Sequence, residues 1–175
     1  NMASAIIGGL IRQGLPTDRI QVVEPYEPQR NALQQQFGIT ALPAADSSLA
    51  QAQLVVWAVQ PHTFKDAALS VAGFSTHALH LSVAAGIRSD SIAQWLGNDQ
   101  IVRAMPNTPA LVGQGMTGLF ARPQVSAAQR LLAEQIITTT GQLVWVQQES
   151  QLDAVTALSG SGPAYVFYFL EAMQQ

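Results

Sequence analysis

The 175-residue chain has no cysteine. No disulfide staples it, and no thiolate serves it as nucleophile or metal ligand. Charge is scarce, with 11% of residues Asp, Glu, Lys or Arg where about a quarter is usual. Lysine occurs only at Lys65 and no two basic residues adjoin, while the net charge is -3. The chain therefore lacks the basic stripe that nucleic acid or an anionic membrane demands. No cluster of histidines and carboxylates has the spacing of a metal site. No apolar run reaches the roughly 18 residues of a membrane span, and no signal-peptide pattern opens the chain. The default location is the cytoplasm, with a mature secreted chain also compatible. What is abundant is apolar: 48% of residues are hydrophobic, which predicts a large core, best supplied by a sheet covered on both faces.

Short apolar runs alternate with helical patterns. Met2 to Gly14 is rich in small residues, with Met2, Ala5, Ile6 and Leu10 on one helical face. A strand at Ile20–Glu24, a helix at Pro28–Phe37 stopped by Gly38 and a short strand at Ile39–Leu42 follow. Leu54–Val59, Leu79–Gly86 and Gln100–Met105 are apolar runs too short for helices, and helices at 61–72 and 90–96 separate them. Gly115–Ala121 reads as a strand, Ser126–Thr139 as a helix capped by Ser126, and Gln142–Val146 as a last strand. This alternation predicts parallel βαβ units in a doubly wound, mainly parallel α/β sheet. In such sheets ligands bind outside the carboxyl ends of the strands. The candidate ends are Glu24, Val59-Gln60-Pro61, Ala84-Ala85-Gly86 and Met105-Pro106-Asn107. Small residues and prolines dominate there, which suits a flat ring lying against backbone.

Two stretches stand out. In Arg103-Ala104-Met105-Pro106-Asn107-Thr108-Pro109-Ala110, two prolines bracket Asn107 and Thr108. A stiff turn fed by a buried strand holds polar tips at a fixed place. In Leu158-Ser159-Gly160-Ser161-Gly162-Pro163-Ala164-Tyr165, a helix from Ser150 runs into a Ser-Gly repeat and then a helix opened by Pro163. That repeat is readable as a flexible joint. The helix beyond it, Ala164–Leu170, is apolar all round and must be buried by a second helical domain or another subunit. Glu24 lies 21 residues after Ala3, the distance at which a dinucleotide fold places the acid that binds the adenosine ribose. An acid at a strand end is as commonly just solvated. Arg30 could reach a 2'-phosphate, so NADH and NADPH both stay open. Arg103 suits a carboxylate partner, a structural ion pair being at least as good a reading. His62 reads as a surface or capping residue, His77 and His80 as structural. The first residue is Asn and the last residues are still in helical register, so both ends read as cuts in a longer protein.

With these stretches in hand, the chain resembles the pyrroline-5-carboxylate reductases from end to end. Asn1-Met2-Ala3 resembles the tail of that family's GxGNMA turn, Ala58-Val59-Gln60-Pro61 its AVKP segment, and Ser82-Val83-Ala84-Ala85-Gly86 its VS-x-AAG segment. The Arg103–Pro109 and Leu158–Tyr165 stretches match its two most specific motifs. The resemblance implies a dinucleotide-binding domain over residues 1–149. It further implies the start of an all-helical domain over 150–175 that builds dimers or larger rings. Carried over, Asn1 and Met2 lie against the cofactor diphosphate, Glu24 at the adenosine ribose, and Val59, Gln60 and Ala85 along the nicotinamide. Asn107 and Thr108 stand nearby as the candidate catalytic residues. Gln60 departs from the family's usual lysine. The glycines of the first turn and the family's substrate-binding GTT segment have no counterpart in the chain.

The implied reaction is reduction of 1-pyrroline-5-carboxylate to proline, the last step of proline biosynthesis, by hydride from NADH or NADPH. No residue is an obvious acid for the imine nitrogen; Thr108 is at best a relay, and the proton can arrive on the imine itself. Ser159 and Ser161 lack a base partner, which disfavours a hydrolase. A β-hydroxyacid-type dehydrogenase would show a catalytic lysine on the interdomain helix, where this chain has none. A non-catalytic dinucleotide-binding or assembly module is the rival from another class.

Overall fold

A computed structural model describes residues 1–174. Five strands form one sheet in the order β1 (Leu54–Trp57), β2 (Leu79–Ser82), β3 (Ile101–Met105), β4 (Gly115–Ala121) and β5 (Gly141–Trp145). The pairs β1–β2, β2–β3 and β4–β5 are parallel, and β3–β4 is antiparallel. The sheet is therefore mainly parallel, and the reversal has a simple cause. Only residues 106–114 join β3 to β4, too few for the crossover a parallel pair needs. The carboxyl ends of β1–β3 and the amino ends of β4 and β5 consequently share one edge of the sheet.

Helices cover both faces. α1 (Met2–Arg12) and α2 (Glu27–Phe37) precede the sheet; α3 (Pro61–Val71), α4 (Ser89–Leu96) and α5 (Ala127–Ile137) are crossovers. Leu79, Leu81, Val102, Ala104 and Leu119 pack with Ala133 and Ile137 of α5 in an aliphatic core. The opposite face meets α3 and α4 through Trp57, Ile101, Phe64, Ala68, Ile92 and Leu96. Alternation along the strands places His80, Ser82 and Arg103 on that second face, all at most 6% exposed. Ser126 caps α5 in a reciprocal box with Gln129.

His80 is wholly buried, and its environment fixes its proton. Trp57 Nε1 donates to His80 Nδ1 at 3.0 Å. Indole nitrogen only donates, so the imidazole proton sits on Nε2, facing the Ser75 carbonyl oxygen at 3.3 Å. Burial pushes the His80 pKa down from 6.5 to about 4. Below pH 6.5 the unfolded chain takes up a proton that the folded chain refuses. Stability from this residue is whole above pH 6.5 and falls until the pH reaches about 4, a loss of about 3 kcal/mol. Urea unfolding across that range tests this, with a His80→Asn variant expected to show the shallower pH slope.

Two sequence expectations change. The strands at Ile20–Glu24 and Ile39–Leu42 reduce to one parallel bridge, Val23 with Leu42. It rests on two hydrogen bonds, Leu42 N to Val22 O and Glu24 N to Leu42 O, each 2.8 Å. No other strand among the described residues pairs with either segment, so no ladder extends. The Ser-Gly repeat is not a break either. α6 (Gln151–Val155) continues through a π-helical turn, Thr156–Ser161, into α7 (Gly162–Met173) without leaving helical dihedrals. In a regular α-helix the Pro163 ring would meet the Ser159 carbonyl; a wider turn relieves that clash. α6 is anchored by Leu152, 1% exposed, which with Val155 lies over the bare Cα of Gly118 on β4. α7 has no buried residue, and Tyr165, Phe167, Tyr168 and Phe169 are each at least 64% exposed.

Candidate functional site at the sheet edge

A cleft of about 270 Å³ opens where α1 meets the ends of β1 and β2. Ala58, Val59, Gln60 and Pro61 line it after β1, Val83, Ala84 and Ala85 after β2, and Met2 from α1. Of the sequence-predicted residues, it thus brings together Met2, Val59, Gln60 and Ala85. No charged side chain lines it. Two helix N-termini open on it, since Met2 begins α1 and Pro61 begins α3. Asn1 caps α1, its Oδ1 accepting from Ser4 N at 2.9 Å and Ser4 Oγ at 3.0 Å. That cap leaves the first-turn N–H groups of Met2 and Ala3 without an intrahelical partner. Free N–H groups at the positive end of a helix dipole suit an anion.

The other predicted residues lie off the cleft lining. Glu24 is half-buried at the Val23–Leu42 bridge. One of its carboxylate oxygens accepts from Tyr26 N at 2.9 Å. Arg30 Nη1 donates to the carbonyls of Glu24 at 3.0 Å and Pro25 at 2.7 Å, which fastens this guanidinium beside the acid.

Asn107 and Thr108 stand at the end of β3, on the same sheet edge. Asn107 Oδ1 accepts from Met116 N at 2.9 Å, and its Nδ2 donates to Ser159 Oγ at 3.0 Å. The two stretches singled out in the sequence are thereby in contact, 52 residues apart. Thr108 is exposed, and its hydroxyl makes no hydrogen bond among the described residues. A second cleft, about 410 Å³, is lined by Gly113–Met116, Gly141 and Gln142 on the same edge. It is larger, but it contains none of the predicted site residues and no ionisable group.

Sequence reasoning missed the partner of Arg103. Arg103 Nη1 lies 2.8 Å from Glu149 Oε1, with side chains 8% and 14% exposed. Glu149 also accepts from Ser89 N at 2.6 Å and Ser89 Oγ at 2.7 Å. Spacing carried no signal for this cluster, because its members come from β3, the start of α4 and the segment before α6. Among the described residues no group of three or more histidines and carboxylates could hold a metal, and no helix is long and apolar enough to cross a membrane.

A mainly parallel sheet between two helical layers, with a neutral cleft at the strand ends and helix N-termini facing it, defines a Rossmann-like domain that runs here into the start of a helical one. Residues 149–175 match the model of the pyrroline-5-carboxylate reductase dimerisation family, and residues 1–86 that of the coenzyme F420-dependent NADP oxidoreductases. The chain is 43% identical to the pyrroline-5-carboxylate reductase of Pseudomonas aeruginosa over 99% of its own length and 64% of that protein's. It is 43% identical to the enzyme of the same name from Haemophilus influenzae, over 100% and 65%. The solved pyrroline-5-carboxylate reductase of Coxiella burnetii superposes with a TM-score of 0.88 at 39% identity, covering 99% of this chain and 65% of that one. The chain is similar to pyrroline-5-carboxylate reductases along nearly its whole length, and spans about 65% of the length of these relatives.

Proposed function

We propose that the protein reduces 1-pyrroline-5-carboxylate to L-proline with NADH or NADPH, the last step of proline biosynthesis. The observation that carries this reading is the neutral cleft of Met2, Val59, Gln60 and Ala85 beside the Asn107 loop, in a chain 43% identical to reductases of that name. The free N–H groups at the start of α1 hold the cofactor diphosphate, with Asn1 keeping that first turn in shape. Glu24 takes the adenosine ribose through the carboxylate oxygen that Tyr26 leaves free. Small side chains at Val59 and Ala85 let the nicotinamide lie against backbone, and Gln60 does so without the charge of a lysine. A nicotinamide bound there supplies a hydride to the imine carbon.

The chain's own contribution is placement and exclusion of water. No carboxylic acid, imidazole or ammonium lines the cleft, so the imine arrives with its nitrogen already protonated. Thr108, with its hydroxyl uncommitted, is the relay for any exchange of that proton. The apolar α7 completes itself against a second copy, in keeping with the dimerisation model that matches residues 149–175. The domain division at Glu149 and the division of roles among these residues belong to the same proposal.

The test measures loss of nicotinamide absorbance with pyrroline-5-carboxylate, with NADH and NADPH in parallel, for this chain and for the protein at the length of its relatives. Turnover by the longer protein, with cofactor binding but no turnover by residues 1–175, is the expected result. Cofactor binding without imine reduction by the longer protein would sink the reductase reading and favour a binding module.

A further inference from the structure

We propose that Asn107 is a positioning residue: it latches the π-turn through Ser159 and so sets the direction in which α7 leaves the sheet edge. The effect on turnover rests on the reductase reading; the latch itself does not. Both ends of the Asn107 amide are committed. A backbone N–H, that of Met116, faces Oδ1 at 2.9 Å, so the orientation of the amide is forced and the NH₂ group must face Ser159 at 3.0 Å. An amide held this way neither gives nor takes a proton. It ties three segments together: the loop after β3, the first rungs of β4 and the π-turn.

A second contact supports the same turn. Met105, the last residue of β3, brings its Cε within 3.0 Å of where a Cβ on Gly160 would stand. A side chain at 160 would make the Met105 methyl give way by a few tenths of an ångström. Thr156, at the start of the turn, donates to Leu152 O at 2.8 Å, whereas the Ser159 hydroxyl donates to nothing among the described residues. The Asn107 amide is thus the polar contact that fixes the far half of the turn. Single π-turns inside helices recur at functional sites, and they redirect the helix that follows. Here that helix is α7, which has no buried residue.

Asn107→Ala, Ser159→Ala, the double variant and Asn107→Asp are compared by two readouts. The first is amide hydrogen exchange over residues 156–161 of the 175-residue chain. Exchange there should rise about five- to tenfold in either alanine variant, the worth of one hydrogen bond, and rise no further in the double variant. Aspartate still accepts from Met116 N and can accept from the Ser159 hydroxyl, so Asn107→Asp should restore protection. The second readout is kcat and KM for pyrroline-5-carboxylate in the protein at the length of its relatives. The alanine variants should lower kcat/KM about tenfold, with cofactor affinity unchanged. Unchanged exchange at 156–161, or additive effects of the two alanines, overturns the latch even if turnover is robust. Coupled, rescued exchange in a protein that reduces no imine keeps the latch and removes the reductase reading. Should Asn107→Ala fail to fold, Ser159→Ala on the half-buried turn carries the same test.

Discussion

Glu149→Ala lowers stability by about 3–5 kcal/mol, the cost of stripping the partner from a buried charge. Arg103 is 6% exposed in the middle of the sheet, and Glu149 is its sole hydrogen-bond acceptor among the described residues. The substitution also takes the acceptor away from Ser89 N and from the Ser89 hydroxyl at the first turn of α4, in a residue 1% exposed, leaving Ser89 Oγ only the bond it accepts from Arg122 Nη1 at 3.5 Å. The carboxylate there sits at the positive end of that helix, which favours its charge. Burial pushes the Glu149 carboxyl up, but the Ser89 N–H, Arg103 and the Ser89 hydroxyl together outweigh it and hold it below the ordinary 4.5. Because the folded value is depressed, this stability is present above about pH 4.5 and is lost as the pH falls through the folded value. Urea unfolding at neutral pH, followed by tryptophan fluorescence, measures the effect. A change under about 1 kcal/mol would mean that water reaches Arg103 and that the pair is not a buried one. Replacing both partners together, Arg103→Met with Glu149→Leu, should cost far less than the single change, since no charge is then left behind.

How much of this was legible depends on the range of the physics. Local signals were read well: β4 at Gly115–Ala121, the Ser126 cap of α5 and the left-handed stop at Gly38 each follow from a few neighbouring residues. The strand ends at Val59, Gln60 and Ala85 were legible for the same reason, and topology then brought them to one cleft. What escaped were facts set by distant partners. The Ile20–Glu24 run has the composition of a strand, yet its ladder ends after one bridge. Composition cannot say whether a neighbour exists on the other side. The antiparallel return of β4 was encoded in the shortness of the 106–114 loop, a length signal outweighed by the βαβ rhythm around it. The Ser-Gly repeat looked like a joint because glycine and serine are weak helix formers, but Pro163, Asn107 and Met105 give the turn a reason to stay helical. For Arg103 the residue invited a carboxylate, but which one was decided by a fold that brings position 149 beside position 89.

Gly141→Ala is the second large effect, and it strikes the same sheet edge. Gly141 has φ 142° and ψ −149°, a region that side chains essentially do not enter. A Cβ there would stand 2.1 Å from the Gly115 carbonyl oxygen and 2.4 Å from its nitrogen. These are the two residues that start the β4–β5 ladder. The strained backbone costs about 1–3 kcal/mol and the forced separation of the strands about as much again. The surroundings of Gly115 are themselves tight, since a Cβ on it would stand 2.7 Å from Ala110 Cβ and 2.9 Å from the Thr140 carbonyl oxygen. Gly38→Ala is the internal control. Its φ is +70° and nothing lies within 4 Å of an added Cβ, so it should cost only about 1 kcal/mol, the left-handed penalty alone. Thermal unfolding of the two variants separates strain from collision. Trp145 reports on β5 directly, since its indole donates to Glu134 at 2.6 Å and carries Arg130 5.1 Å over its ring. Displacing Gly115 also displaces Met116, whose N–H holds Asn107. Gly141→Ala should therefore loosen the π-turn at a distance, seen as faster amide exchange at 156–161, whereas Gly38→Ala leaves that exchange unchanged. Equal costs for the two glycines would show that β4 and β5 have room to part, and the edge would then be too soft to hold Asn107 in place.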